Sequence, residues 1–140
     1  EEFKLEPDSA GPGRYRGAHS ISKTYRAVDT EITVSSVSDR HAIQPWGLLG
    51  GGAGAVGGLL YQDAEGGEWR PFTEAFGKVS PSKFSNARIA PGARVRLTAP
   101  GAGGYGPGGE RAPEMIAEDL REGWITPQGA RRDYGYSGGD

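Results

Sequence analysis

The chain has 140 residues, 16 basic and 18 acidic side chains, a net charge of −2 and no cysteine. This length fits one domain or part of a larger one. The sequence has no basic stripe, which excludes nucleic-acid binding. It has no apolar run near the length of a membrane span, about 20 residues, which excludes a spanning helix. The absence of cysteine excludes disulfides and thiolate metal sites and is compatible with the cytoplasm, where we expect the protein to act.

The N-terminal part predicts a loop followed by two strands. The first residue is Glu1 rather than a methionine, which favours a start inside a longer polypeptide or a trimmed end. Residues 8–17, DSAGPGRYRG, predict a loop or an extended polyproline-type stretch. Residues 19–28 and 30–37 alternate apolar and polar side chains, as half-buried strands do. The Asp29-Thr30 pair suits a turn, so we predict an antiparallel hairpin.

The middle of the chain predicts short strands around a glycine stretch. Residues 47–58, GLLGGGAGAVGG, cannot form a helix, because each interior Gly costs about 1 kcal/mol relative to Ala. Strands are predicted at residues 59–62 and 68–73, and Pro81 disfavours a central strand nearby. Residues 93–99, ARVRLTA, show the clearest alternation of a half-buried strand.

Two helices are predicted after a third Gly- and Pro-rich segment at residues 99–109. Pro113 suits a first helical turn and Gly123 a helix end, which predicts a helix over 113–122. Thr126 and Pro127 pair an N-cap with a first-turn proline and predict a second helix over 127–134. Residues 136–140 are predicted to be loose.

The composition predicts an ordered module with a poor core of its own. Leu, Ile, Val and Phe are 23 of the 140 residues, below the roughly 20% at which a private core becomes doubtful. The near-neutral charge argues against a disordered chain. We therefore expect a mainly β fold with Gly-rich polyproline-II segments and two short C-terminal helices, divided into residues 1–109 and 110–140. Such a module would complete its burial against other polypeptide.

The three Gly-rich segments are interpreted as packing side by side rather than as flexible linkers. Glycine lets extended backbones approach closely without collagen-like spacing. The segments carry or adjoin many apolar residues, which a solvated linker would rarely hold: Trp46, Leu48, Leu49, Val56, Leu59, Leu60 and Tyr105.

Several motifs have weak chemical specificity. Gly52 to Gly57 match G-x-G-x-x-G, but no strand precedes them and no helix follows, so nucleotide binding is not favoured. His19 and His41 make a poor metal set; Asp39 and His41 would share one face of an extended chain, and surface hydrogen bonding is the simpler interpretation. The Arg14-Tyr15-Arg16 run suits a planar anion or, more simply, a salt bridge to another subunit.

A series of short motifs occurs in order along nearly the whole chain. The motifs are Gly11–Gly17 (GPGRYRG), Ser38-Asp39-Arg40, Pro45–Gly51 (PWGLLGG), Thr98–Gly106 (TAPGAGGYG), Glu118–Gly123 (EDLREG) and Ala130–Gly135 (ARRDYG). Together they resemble the C-terminal part of the hydantoinase B/oxoprolinase family. The family usually has a fuller glycine run where Ala102 stands, and Asp-Pro where this chain has Pro107-Gly108.

The resemblance implies a role in a multi-subunit, ATP-dependent enzyme. An actin-like ATPase subunit of the α type would phosphorylate a lactam, hydantoin or ketone-derived enol, and the β-type subunit would carry out hydrolysis or carboxylation. The β-type fold would include barrel-like sheets and a polyproline-II bundle, and this chain would be its C-terminal portion in a hetero-oligomer.

The resemblance also implies that the catalytic apparatus is elsewhere. Metal ligands would lie in the N-terminal part of the β-type subunit, so we expect no catalytic residue, cofactor or metal on this chain, and ATP with Mg²⁺ and a divalent metal on the partners. If the chain contributes a wall of the active site, the candidates are Asp39, Arg40 and His41 with Gly50 and Gly51, where backbone N–H groups can approach a substrate.

Overall fold

A computed structural model of the chain describes residues 1–138. None of the helices in this part is long and apolar enough to cross a bilayer. The elements in chain order are β1 Glu2–Leu5, β2 Ile21–Arg26, β3 Ile32–Val37, β4 Gly58–Asp63, β5 Gly66–Pro71, α1 Phe72–Phe76, β6 Lys83–Ile89, β7 Arg94–Thr98, a 3-10 turn Gly108–Glu110, α2 Pro113–Arg121 and α3 Pro127–Tyr134.

The strands form two antiparallel sheets. Five strands lie in the order β1-β2-β7-β4-β5, and β3 pairs with β6 in a two-stranded sheet. The hairpin predicted for residues 19–28 and 30–37, which contain β2 and β3, is therefore wrong. Both edges of β2 are occupied, by β1 and by β7, so β2 has no free edge for β3, which crosses to the other layer.

The main core lies between the two sheets. Phe72 and Ile89 are fully buried, and the Phe72 ring stacks on Phe84 with 4.8 Å between centroids. Phe72 was expected in a strand over 68–73, but the strand ends at Pro71 and Phe72 begins α1. The short helix turns the Phe72 ring into the core. β6 starts after Pro81 and belongs to a sheet that has no central strand.

The two C-terminal helices form as predicted. Gly123 and Gly135 follow them at positive φ, 71° and 65°, and the hydroxyl of Thr126 accepts the N–H of Gly129 at 3.0 Å. A second small core contains Ile116, Ile125 and Ala130, with Tyr136 packed against it. The predicted loose tail is therefore wrong at Tyr136, whose N–H bonds the carbonyl of Ala130; residues 139 and 140 lie outside the described residues.

The three Gly-rich segments predicted at residues 8–17, 47–58 and 99–109 pack together. The parts that pack, residues 9–17, 45–57 and 99–106, are called the glycine bundle below. Their backbones bond one another: the N–H of Gly11 to Ala102 at 2.8 Å, of Gly52 to Pro12 at 2.6 Å and of Gly104 to Gly52 at 2.9 Å. The predicted side-by-side packing is thus confirmed.

The apolar side chains that suggested this packing account for only part of it. The interior of the glycine bundle is backbone against backbone; a Cβ at Gly54, for example, would lie 2.6 Å from the carbonyl oxygen of Ala102. Some apolar side chains that suggested packing point outward, since Trp46 is 63% and Leu49 73% exposed. The bundle therefore buries peptide groups and presents apolar side chains on its surface.

Candidate functional site

A cavity of about 550 Å³ lies where β3 leads into the glycine bundle and where the chain enters β6. One wall is residues 39–43 and the other is residues 80–83. Three of the five predicted site residues, Asp39, Arg40 and His41, are in the first wall. No sequence pattern indicated the second wall, since the approach of the two loops depends on the long-range pairing of β3 with β6.

Asp39 and His41 do not form the pair that an extended chain would allow. The carboxylate of Asp39 lies 3.0 Å from the Nζ of Lys83, and Nε2 of His41 shares a 2.9 Å hydrogen bond with Oγ of Ser38. The intervening Arg40 has φ of 62°, so the backbone turns and the alternation of an extended strand is lost.

Arg40 links the cavity to the glycine bundle. Its guanidinium carbon lies 4.4 Å from the centre of the Trp46 ring, a cation–π contact. Its carbonyl accepts the N–H of Gly57 at 2.8 Å. Left-handed backbone at a non-glycine residue costs about 1–3 kcal/mol and concentrates at functional sites, which makes Arg40 the strongest functional candidate in this wall.

The imidazole of His41 can act as a neutral base or hydrogen-bonding group. Burial lowers the pKa of His41 below its ordinary value, and the nearby charge of Asp39 partly opposes that shift. The neutral ring therefore predominates near pH 7, where one ring nitrogen can accept a proton.

Gly50 and Gly51 lie outside the residues that line this cavity. They belong to a tight turn in which the N–H of Gly51 bonds the carbonyl of Leu48 at 2.9 Å. Gly51 also packs on the neighbouring segment, where an added Cβ would be 2.7 Å from the backbone nitrogen of Tyr105. The structure thus groups these two glycines with the bundle and not with residues 39–41.

A buried ion cluster joins the helices to the glycine bundle. Asp119 accepts hydrogen bonds from Arg111 at 2.8 Å and from Arg16 at 3.1 Å, and the side chains of Asp119 and Arg111 are each 3% exposed. The salt bridge predicted between Arg16 and another subunit is therefore made within the chain. Arg16 and Asp119 are 103 positions apart, so no local sequence pattern could reveal their contact.

The histidines do not assemble a metal site with neighbouring acids. Within residues 1–138 there is no group of three or more His, Asp or Glu that could hold a metal ion. In the same range, both ring nitrogens of His19 are buried without a hydrogen-bond partner, and the pKa of His19 is lowered first by burial and then by the charge of Arg16. The residues described do not fit a complete metal centre, and no chemical step is assigned to a metal on them.

The G-x-G-x-x-G match at residues 52–57 does not have the geometry of a dinucleotide loop. These residues are extended within the glycine bundle, and the next helix begins only at Phe72. A dinucleotide site needs a helix that starts within the motif, so that its N-terminus meets the phosphates.

Residues 1–108 match the model of the family described as hydantoinase B/oxoprolinase. A putative D-/L-hydantoinase subunit from a Pseudomonas species is 33% identical over 134 residues, covering 95% of this chain and 21% of that protein. The chain thus spans about a fifth of this relative's length.

A part of each of two solved structures has the same fold as this chain. The ATP-dependent caprolactamase of Pseudomonas jessenii superposes with a TM-score of 0.72 at 22% identity, over 96% of this chain and 22% of that chain. A nucleotide-free acetone carboxylase gives a TM-score of 0.71 at 18% identity, over 95% of this chain and 21% of that chain.

Proposed function

Because the chain belongs to the hydantoinase B/oxoprolinase family, we propose that it is the C-terminal module of the β-type subunit of an ATP-dependent amidohydrolase. The enzyme would open a hydantoin, 5-oxoproline or lactam ring together with an actin-like ATPase subunit of the α type. The observation that carries this proposal is the 33% identity, over nearly the whole chain, to a putative hydantoinase subunit. The shared fold with an ATP-dependent caprolactamase supports it.

Within such an enzyme the module would supply one wall of the active site. Arg40, His41 and Lys83 bring two cations and a neutral imidazole to one cavity, in which the carboxylate of Asp39 already balances the charge of Lys83 at 3.0 Å. Trp46 holds the guanidinium of Arg40 by stacking, so that its donors are oriented before a substrate arrives. Donors fixed in this way stabilise negative charge on a carbonyl or carboxylate oxygen without reorganisation.

The remaining machinery would be held by the partners. ATP with Mg²⁺ would bind the ATPase subunit, and a divalent metal would bind the N-terminal part of the β-type subunit. In this division the chain alone is inactive, and its residues bind, orient and exclude water at one side of a shared site. We expect the assembly to be a cytoplasmic hetero-oligomer.

A second candidate is a module of an ATP-dependent ketone carboxylase. The shared fold with acetone carboxylase favours it, although 18% identity carries the fold alone. Ring opening consumes water, whereas carboxylation needs bicarbonate. A requirement of the purified complex for bicarbonate would therefore select the carboxylase.

The test of the proposed wall is Arg40→Ala in the assembled enzyme. ATP-dependent ring opening should fall at least tenfold while native mass spectrometry shows an unchanged complex. Arg88→Ala is the matched control, since Arg88 is an exposed arginine on β6 that lies 3.6 Å from Glu31 in a surface ion pair.

The outcomes separate three roles. A loss of turnover in Arg40→Ala with an intact complex supports the active-site wall. Dissociation of that variant without a change in turnover per intact complex supports a purely assembling role. Native mass spectrometry of the source complex that finds no longer β-type chain and no ATPase chain would contradict the proposed function itself.

A further inference from the structure

An open apolar groove of about 280 Å³ lies between β3 and the five-stranded sheet. Tyr25, Val95 and Leu97 contribute from the sheet, and Ile32 and Val34 contribute from β3. None of the described residues that line the groove is charged. Tyr25 is 52% and Leu97 37% exposed, so apolar surface on the inner face of the sheet is left uncovered at this end of the core.

The groove lies beside the free edge of β3. β6 is the partner strand of β3 within residues 1–138, and β6 contributes none of the described lining residues. The groove is therefore on the side of β3 that is opposite β6. In an antiparallel pair about half of the backbone groups of an edge strand point away from its partner, so β3 offers hydrogen-bonding groups next to this apolar surface.

The side chains of β3 do not protect that edge. Proteins usually block exposed edges with charges or proline, and the other three edge strands of the described part follow this rule: β1 carries Lys4, β5 ends in Pro71 and β6 contains Arg88. β3 has the sequence ITVSSV, with no charge and no proline. Its pairing with β6 shifts register between Val34 and Ser36, but its side chains place no charge and no proline along the free edge.

We propose that an extended, uncharged segment from the rest of the longer β-type polypeptide pairs with the free edge of β3 and fills this groove. The inference rests on the proposed function, because it takes the occupant from that polypeptide. A protein about five times as long as this chain, as the 21% coverage of the hydantoinase relative indicates, has ample sequence to supply such a segment. Its main chain would extend the two-stranded sheet, and alternate apolar side chains would lie on Tyr25 and Leu97.

Hydrogen–deuterium exchange on the purified complex tests this pairing. In the wild-type complex, amides over residues 32–37 should be protected at consecutive positions, both those facing β6 and those facing away. Leu97→Lys places a charge in the groove and should accelerate exchange of the outward-facing set at least tenfold. Val79→Lys is the matched control, because it adds the same charge at a fully exposed apolar residue and should leave β3 unchanged.

Exchange over β6 and β4 in the same samples reports whether the Leu97→Lys module is still folded. If that variant does not fold, the exchange rates of the wild-type complex alone decide the question. Outward-facing amides of β3 that exchange as fast as those of the exposed loop before β6 would overturn the proposal. Protection that depends on the concentration of the complex would assign the edge to a second copy and would also overturn it.

The two proposals fail in different ways. Fast exchange at β3 in a complex that retains ATP-dependent turnover contradicts the proposed docking segment but not the proposed function. Absence of any longer β-type polypeptide removes the proposed function, and the docking segment with it.

Discussion

Replacing Gly104 with alanine should break the glycine bundle at its centre. An added Cβ would lie 2.5 Å from the carbonyl carbon of Pro12 and 2.7 Å from the carbonyl oxygen of Gly11. Both obstacles are backbone, which cannot swing aside as the end of a flexible side chain can. A Cβ essentially never lies within 3.0 Å of such an atom, so the segments must separate by about 1 Å.

The cost follows from the contacts that this separation strains. Overpacking of this kind costs about 1–3 kcal/mol. Gly104 also donates to Gly52 and accepts from Leu48, each at 2.9 Å, and losing both bonds adds about 1 kcal/mol each. The expected loss is about 3–5 kcal/mol, a large fraction of the about 5–15 kcal/mol by which folded proteins are stable.

Urea unfolding followed by tryptophan fluorescence measures this loss. With an m value of about 2 kcal/mol/M the midpoint should fall by about 2 M. Gly58→Ala is the matched control, since nothing lies within 4 Å of its Cβ position, and it should be neutral or stabilising because Gly weakens a strand interior. A Gly104→Ala midpoint within the error of wild type would refute the close-packed bundle.

Three further predictions concern the helices and the histidines. Asp119→Ala leaves the buried cations around it unpaired and should lower the free energy of unfolding by about 3–5 kcal/mol. The control Arg121→Ala removes exposed ion pairs and should lower it by at most about 1 kcal/mol. Equal losses of stability in urea unfolding of the two variants would argue against the buried cluster. Thr126→Ala removes the N-cap of α3 and should cost about 1 kcal/mol in the same assay, while Thr126→Ser should retain most of the stability. Burial lowers the pKa of His19 and His41 in the folded chain. Their contribution to the free energy of unfolding is therefore complete above the pKa of an unfolded histidine, about 6.5, and is lost as the pH falls through the folded pKa. An NMR titration midpoint above about 6.5 for either imidazole would contradict this.

The candidate site was only partly within reach of the sequence. Asp39, Arg40 and His41 were selected because they precede the glycine stretch, and they do line one wall of a cavity. Gly50 and Gly51 were included because backbone N–H groups of the glycine stretch can approach a substrate closely, but their turn packs into the bundle instead. The proximity of Lys83 required the pairing of β3 with β6, which joins residues about 50 positions apart.

The sequence by itself determined the elements whose causes are local. Pro113 and Pro127 at first turns, with Gly123 and Gly135 after the ends, specify both C-terminal helices because these residues act on their own backbone. The glycine runs likewise specify that backbones can approach closely. The composition indicated a small core, and the described residues contain two small buried clusters.

Only the tertiary structure decided which elements meet. Alternation marks a strand without naming its partner, so nothing local could tell that β2 lies between β1 and β7 while β3 crosses to β6. The same limit hid the contact of Arg16 with Asp119 and the outward orientation of Trp46. Burial and pairing are properties of the whole arrangement, and they are fixed by contacts between distant residues that no short window of sequence contains.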